Sequence, residues 1–444
     1  MFDPWPLAAP GAAWTARKQL GYAADVLRHA ACAGCSLGSV GLRDPVRPGL
    51  HLCRRRLDDL GRLVAEPMPA GTLATADLLD RPALRALGRL SEPLLRRRGG
   101  RFEPLGWDDA LHMLASRLTD APSWSLSVGA EELGNEDAWM LAQAVRQLGA
   151  SSLRWRGDAL GPWRAALQRA TGLAANPSNL TDLPRAERVV LWGDVLRSHP
   201  DLARWLPRRG DVLTVGCSLP GQRRLRGEPL ALAERGMAAA WRHRPESLVV
   251  GDEPTAVPEP ALAEPALHLV DAALAPERFV ALALLQGAMG RVGSGLVALG
   301  GQPGANDMGL ATTGDDRAAL RPSATVQVGD AGPSSPDAAF RAHLGWFADP
   351  AMLLEPAGEV LVLPLRWRIE EEGGSTTTSA DRLVRFSPQV LGHDVADARS
   401  LTQVLGAVLR SAGFEAPATS ADARRAIALD VPHHGPILDL LRPG

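Results

Sequence analysis

Apolar and polar positions along this chain follow two periods that take turns. Residues 124–128 (WSLSV) alternate, the two-residue period of a half-buried strand, and 129–147 then carry apolar residues three and four apart, the stripe of an amphipathic helix. Residues 188–193 (RVVLWG), 211–216 (DVLTVG) and 358–364 (GEVLVLP) are short unbroken apolar runs, the pattern of strands buried on both faces of a parallel sheet. A helical stretch at 200–206 separates the first two. Helical spacing recurs at 57–64, 82–90, 107–118, 275–289 and 400–411. Asp108 and Asp109 fall in the first turn of 107–118, where carboxylates suit the positive end of the helix dipole. Strand, helix and strand in succession predict an α/β fold. A length of 444 residues predicts two to four domains at ~100–200 residues each.

Composition narrows the classes. Hydrophobic residues are 45% and charged residues 22%, the balance of a folded globular protein. With 48 basic against 50 acidic residues the net charge is -2, so no global field attracts a nucleic acid or an anionic membrane. Lys18 is the single lysine, so runs such as Arg54-Arg55-Arg56 and Arg96-Arg97-Arg98 read as solvated faces written in the one cation this chain uses. The first residues show neither a basic start before an apolar run nor a twin arginine, which predicts a cytoplasmic protein. The longest apolar stretch, 279–289, is far short of the ~20 residues that cross a bilayer, so no membrane insertion is expected.

Four cysteines in so long a chain exclude a disulfide scaffold. Cys32-x2-Cys35 with the later Cys53 gives three thiolates that can bite one metal or cluster. A fourth ligand would come from Ser39, His29, His51, water or a partner, and the alternative is that the three are small buried apolar residues. Cys217 follows a strand and reads as packed. Residues 290–309 are dense in glycine, which lets backbone amides approach an anion but serves a tight structural loop equally well. Glu370-Glu371-Glu372-Gly373-Gly374 then leads into Ser375, Thr376, Thr377 and Thr378 just past the 358–364 strand, where open α/β sheets bind ligands; a polar surface hairpin is the alternative. No histidine pair at i, i+4 and no Gly-x-Ser-x-Gly elbow is present, so hydrolytic triads lack support.

In order and wording, CAGCSLGSVGL with GLHLC, RLSEPLLRRRGGRFEPLGWDDAL, NEDAWMLAQAVRQLGA, DLPRAERVVLWGDVLRSHPDL, GGQPGANDMG and VLPLRWRIEEEGGSTTTSADRLVRFSP resemble successive segments of the catalytic subunits of molybdopterin oxidoreductases, the formate-dehydrogenase-alpha-like branch above all. The resemblance implies a multi-domain α/β fold with a small N-terminal iron-sulfur-type lobe (1–70), a discontinuous α/β domain (71–150 and 345–444) and a Rossmann-like α/β domain (151–344). It implies a molybdopterin guanine dinucleotide with molybdenum or tungsten held between the two α/β domains, and an iron-sulfur cluster on Cys32, Cys35 and Cys53. Carried across by motif, Gly193, Asp194 and His199 flank one half of the cofactor, Gly304, Asn306, Asp307 and Gly309 flank the other, and Gly374, Ser375, Thr376 and Thr378 line the cleft.

The departures from that pattern are as informative. Residues 153–167 hold neither the cysteine nor the selenocysteine that such enzymes bring to the metal, and Gly193-Asp194-Val195-Leu196 stands where Gly-x-Asn-Pro is usual. The β-rich terminal domain of the family has no counterpart, which implies a separate subunit supplying it, or an electron-transfer partner. Two functions follow: a formate-dehydrogenase-like oxidoreductase subunit, or a catalytically inactive, cofactor-free scaffold or accessory subunit of a redox complex. No catalytic residue is assigned under either. Both depend on glycine-lined segments of neighbouring lobes facing each other.

Overall fold

The computed structural model describes residues 80–129, 133–207, 210–246, 253–312, 322–330, 337–390 and 397–431, with short pieces at 24, 26, 28–29, 32, 35–38, 40–44, 51, 67–69, 71–75, 248 and 434–435. In chain order the elements are β1 (Leu94–Arg97), β2 (Glu103–Pro104), α1 (Trp107–Thr119), β3 (Trp124–Val128), α2 (Asn135–Gln147), β4 (Ser152–Trp155) and α3 (Gly161–Thr171). Then come β5 (Arg188–Trp192), β6 (Asp211–Val215), β7 (Arg223–Leu225), α4 (Pro229–Ala240), β8 (Leu267–Asp271), α5 (Glu277–Leu285), β9 (Gly295–Leu299) and α6 (Pro303–Asp307). The chain continues through β10 (Ala324–Val328), β11 (Phe340–Gly345), β12 (Glu359–Pro364), β13 (Ser375–Thr378), β14 (Val384–Ser387), α7 (Leu401–Ser411) and α8 (Ser420–Asp430).

Two sheets organise these elements. The first runs β2-β1-β12-β11-β10-β3-β4, parallel from β12 to β4 with the β1–β2 hairpin added antiparallel at one edge; the second, β7-β6-β5-β8-β9, is parallel throughout. The α/β class is therefore observed. The apolar runs at 188–193, 211–216 and 358–364 are β5, β6 and β12, buried on both faces as their continuity requires. Strands β4, β10 and most of β11, which fall within the expected 151–344 domain, pair into the first sheet, so that sheet draws on two separate stretches of chain, 94–155 and 324–364. One face of the first sheet packs on α1, α2 and α7, and the two faces of the second bury separate apolar clusters, one of them under α3, α4 and α5.

Several helix bounds differ from expectation. The 129–147 helix begins at Asn135, 82–90 shortens to Arg81–Ala86, and 200–206 becomes two four-residue helices, Val195–Ser198 and Leu202–Trp205. The 57–64 stretch lies outside the described residues. In the glycine segment, Gly295–Leu299 form β9 at the sheet edge, buried on every residue, so apolar pairing with β8 overrides the loop that the glycines suggested.

Candidate functional site at the junction of the two sheets

Leu37, two residues after Cys35, and Ala380 from the β13–β14 turn bury themselves in the apolar cluster on one face of the second sheet. The Ala380 amide donates to the Ser36 carbonyl at 2.7 Å. His199 completes the fastening: its ring nitrogens lie 2.7 Å from Ser36 Oγ and 2.8 Å from Ser198 Oγ, and the side chain is 2% exposed. His51 pairs with Asp201 at 3.2 Å. The histidine expected to flank a cofactor thus ties the Cys35–Gly38 turn to the segment after β5.

Cys32, Cys35, Gly304, Thr377 and Thr378 line one small cavity together with Asn135 and Gln302. The fold therefore brings three of the expected groups together: the cysteine pair, the glycine segment and the threonine turn. They meet in contact. A Cβ on Gly304 would stand 2.2 Å from Asn135 Oδ1, 2.9 Å from Thr378 Cβ and 3.0 Å from the Thr378 amide nitrogen. Gly301 is seated as closely, its Cβ direction 2.1 Å from the Gly157 carbonyl. Gly193, with φ +73°, faces Asp271 Cβ at 2.9 Å, and Gly374, with φ +70°, faces the Ser387 carbonyl at 2.4 Å. At all four positions the missing side chain makes room for protein.

The polar residues around these glycines are engaged with one another. Asn135 Nδ2 donates to Thr376 Oγ1 at 3.2 Å and Thr378 Oγ1 at 3.1 Å. Glu136, 1% exposed, accepts from the Thr376 amide at 2.9 Å and its hydroxyl at 2.9 Å, and pairs with Arg424 at 2.9 Å. Asn306 Nδ2 donates to Asp158 Oδ1 at 3.0 Å, and Asp307 pairs with Arg164 at 2.9 Å. Asp158 also accepts from the amides of Gly161 and Thr312, so the stretch lacking a metal-binding cysteine holds a bonding post for α6 and the chain beyond it. The exposed Asp194 sends its amide to Asp271 Oδ2 at 3.2 Å. Gly309 turns the chain after α6 with φ +84°. Ser375 to Thr378 are all buried as β13 against α2, not a surface hairpin.

Carboxylates crowd beneath this hairpin. Burial, then the neighbouring charge of Glu136, raises Asp137 to about 6; burial, then Asp137, raises Glu371 to about 8, against the lowering effect of bonds from Ser420 and Ser400. Glu370 instead forms a buried pair with Arg89, NH2 to Oε2 at 2.8 Å. Sequence reasoning assigned no role to Asn135, Glu136, Asp158, Arg89 or Arg424. Glu136 and Asp137 at the start of an apolar helix signal a helix N-terminus, and only the approach of β13 makes Glu136 a buried partner.

Among the described residues no group of three or more His, Cys, Asp or Glu side chains is placed to hold a metal ion. Cys32 is buried, Cys35 partly so, His29 exposed, and Cys53 and Ser39 lie outside the described residues. Cys217 packs as expected, burial raising its thiol to about 11.

The molybdopterin oxidoreductase family model matches residues 89–208. Over that stretch, about a quarter of its length, the chain is similar to the family. The matched stretch runs from β1 through the helices after β5. Among solved structures, acetylene hydratase from Pelobacter acetylenicus superposes with a TM-score of 0.57 at 13% identity, covering 87% of this chain and 69% of that one. A chain of the formyltransferase/hydrolase complex from Methylorubrum extorquens, in complex with methylofuran, gives a TM-score of 0.47 at 14% identity, with 71% and 97% covered. No curated protein matches the chain. Among the described residues no helix is long and apolar enough to cross a membrane.

The family whose model matches residues 89–208 implies a molybdopterin carrying molybdenum or tungsten. The junction does not fit that group as it stands. The cavity there measures about 10 Å³, the room of one water, whereas pockets for small organic ligands run to ~300–1,000 Å³. Gln302 Oε1 and Nε2 and Thr377 Oγ1 are buried without a partner at its wall. Among the described residues they are polar atoms at this wall without a bonding partner.

Proposed function

We propose that this molybdopterin oxidoreductase domain serves as a structural subunit of a redox complex, keeping the architecture and holding no pterin between its glycine segment and its threonine turn. The observation that carries the reading is the seat of Gly304, closed by Asn135 and Thr378 where a ligand phosphate would need open backbone. The pairing of Asp158 with Asn306, and of His199 with Ser36, agrees with it: side chains that would face a cofactor fasten one lobe to another. Function resides in sites grafted on a fold, and a fold persists when its site is filled by protein. The test is anaerobic purification from a host that makes the cofactor, with molybdenum, tungsten and iron measured per chain. A small fraction of an equivalent of each is expected. Molybdenum or tungsten near one per chain would overturn the proposal.

A second reading rests on the unpartnered Gln302 and Thr377 beside Cys32 and Cys35. Under it the chain is a cytoplasmic, formate-dehydrogenase-like oxidoreductase subunit whose junction opens around the guanine dinucleotide form of the cofactor. Cys32, Cys35 and Cys53 would hold an iron-sulfur cluster, and a separate subunit would supply the terminal domain or take the electrons. The same preparation then contains iron, and Cys53→Ser abolishes its charge-transfer absorbance. A metal-free preparation without that absorbance removes this reading.

A further inference from the structure

Beyond the C-terminal end of β12 lies an open bowl of about 280 Å³, far from water-sized and away from the cysteine-lined junction. Among the described residues its wall is formed by three arginines, Arg366, Arg399 and Arg410, with one acidic residue, Asp397, and Gln403. The backbone holds two of these arginines side by side. Arg366 N donates to the Arg399 carbonyl at 3.0 Å, Arg399 N donates to the Pro364 carbonyl at 3.3 Å, and Leu365 bridges Arg399 as a short parallel extension of the strand.

The three arginines differ in what occupies them. Arg399 stacks over the Trp107 ring at 4.7 Å and reaches only the fully exposed Asp108 at 4.0 Å, so its charge is weakly compensated. Arg410 donates to the carbonyls of Ala416 and Pro417 at 3.0 and 2.8 Å, bonds that fix its position and leave its charge in place. Arg366 is only partly exposed, and among the described residues its guanidinium makes no hydrogen bond or ion pair. Gln403, also on the wall, is fixed through its Oε1, which accepts from the Ser400 amide at 3.1 Å in the cap of α7. A half-buried guanidinium without a carboxylate, beside two fixed ones, is an arrangement that favours an anion, since charge-assisted bonds to oxyanions are the strongest that arginine makes.

We infer that this bowl binds a compact polyanion of the phosphate or carboxylate class, with Arg366, Arg399 and Arg410 as its counter-charges. Size sets the limit: about 280 Å³ lies at the low end of small-ligand pockets, which admits a di- or trianion and excludes a dinucleotide. The inference is independent of whether the junction holds a pterin.

The experiment titrates the full-length chain with inorganic pyrophosphate and, separately, with citrate by calorimetry, in metal-free buffer against sodium chloride of matched ionic strength. Saturable binding of either anion is expected, and the arm that responds more strongly assigns phosphate or carboxylate. Arg366→Ala should weaken binding by about tenfold or more, the value of one lost charge-assisted hydrogen bond, and Arg366→Glu should abolish it. Because the Arg366 side chain has no partner among the described residues, both variants should keep the wild-type circular dichroism and unfolding midpoint. Heat no larger than the chloride control in both arms, or equal affinity in a folded Arg366→Glu protein, would overturn the inference.

Discussion

Replacing Gly304 with alanine distinguishes a glycine that serves protein packing from one that serves a ligand. Gly304 sits in α6 with an ordinary helical backbone, so if its Cβ direction were open, alanine would stabilise the cofactor-free protein by up to about 1 kcal/mol through helix propensity. The direction is closed by Asn135 Oδ1 at 2.2 Å and by Thr378 Cβ at 2.9 Å. Thr378 is held in β13 and cannot retreat without disturbing its pairing with Val384. Asn135 can move only by loosening its bonds to Thr376 and Thr378, each a net ~0.5–1.5 kcal/mol, or the core absorbs overpacking of ~1–3 kcal/mol. After the helix gain, the net is a destabilisation of roughly 1 kcal/mol, opposite in sign to the open case. Urea unfolding of metal-free protein, followed by tryptophan fluorescence, reads the difference. Gly345→Ala is the control, because its Cβ would meet only the Phe347 carbonyl at an ordinary 3.7 Å. Gly304→Ala protein as stable as wild type would refute the packing argument.

Other outcomes follow from the same junction. Glu136→Ala strands Arg424 and the Thr376 donors in a buried place and should cost about 3–5 kcal/mol in the same unfolding assay. Glu371 is raised from 4.5 to about 8, so the folded chain binds more protons than the unfolded one across that interval; stability should fall as pH rises through it, with a slope of at most ~1.4 kcal/mol per pH unit, and Glu371→Gln should flatten this limb. His268 works in the opposite sense. Trp192 Nε1 donates to its Nδ1 at 3.0 Å, so Nε2 carries the proton toward Gln286, and burial lowers the ring to about 4; stability should be lost as pH falls from 6.5 to about 4, a loss that His268→Gln removes. Cys217, raised from 9.0 to about 11, should react with iodoacetamide on the order of a hundredfold more slowly in the native protein than in urea, as read by mass spectrometry.

By itself the chain determined its elements and its class. Unbroken apolar runs such as RVVLWG and GEVLVLP admit only strands covered on both faces, and the acids opening 107–118 mark the start of a helix, because burial and the helix dipole act over a few neighbouring residues. The segments that meet were legible as well: the cysteine pair, the glycine stretch and the threonine turn do line one cavity. What the chain could not say is how closely they meet. A glycine reads the same whether a phosphate or Asn135 occupies the space beside it, and a run of threonines reads the same lining a cleft or buried on α2. The membership of β4, β10 and β11 in the first sheet, and the burial of Glu136 under β13, are likewise pairings between residues far apart in sequence. Local pattern fixes which groups a segment offers. Only the tertiary approach of segments hundreds of residues apart decides whether those groups face a ligand or each other.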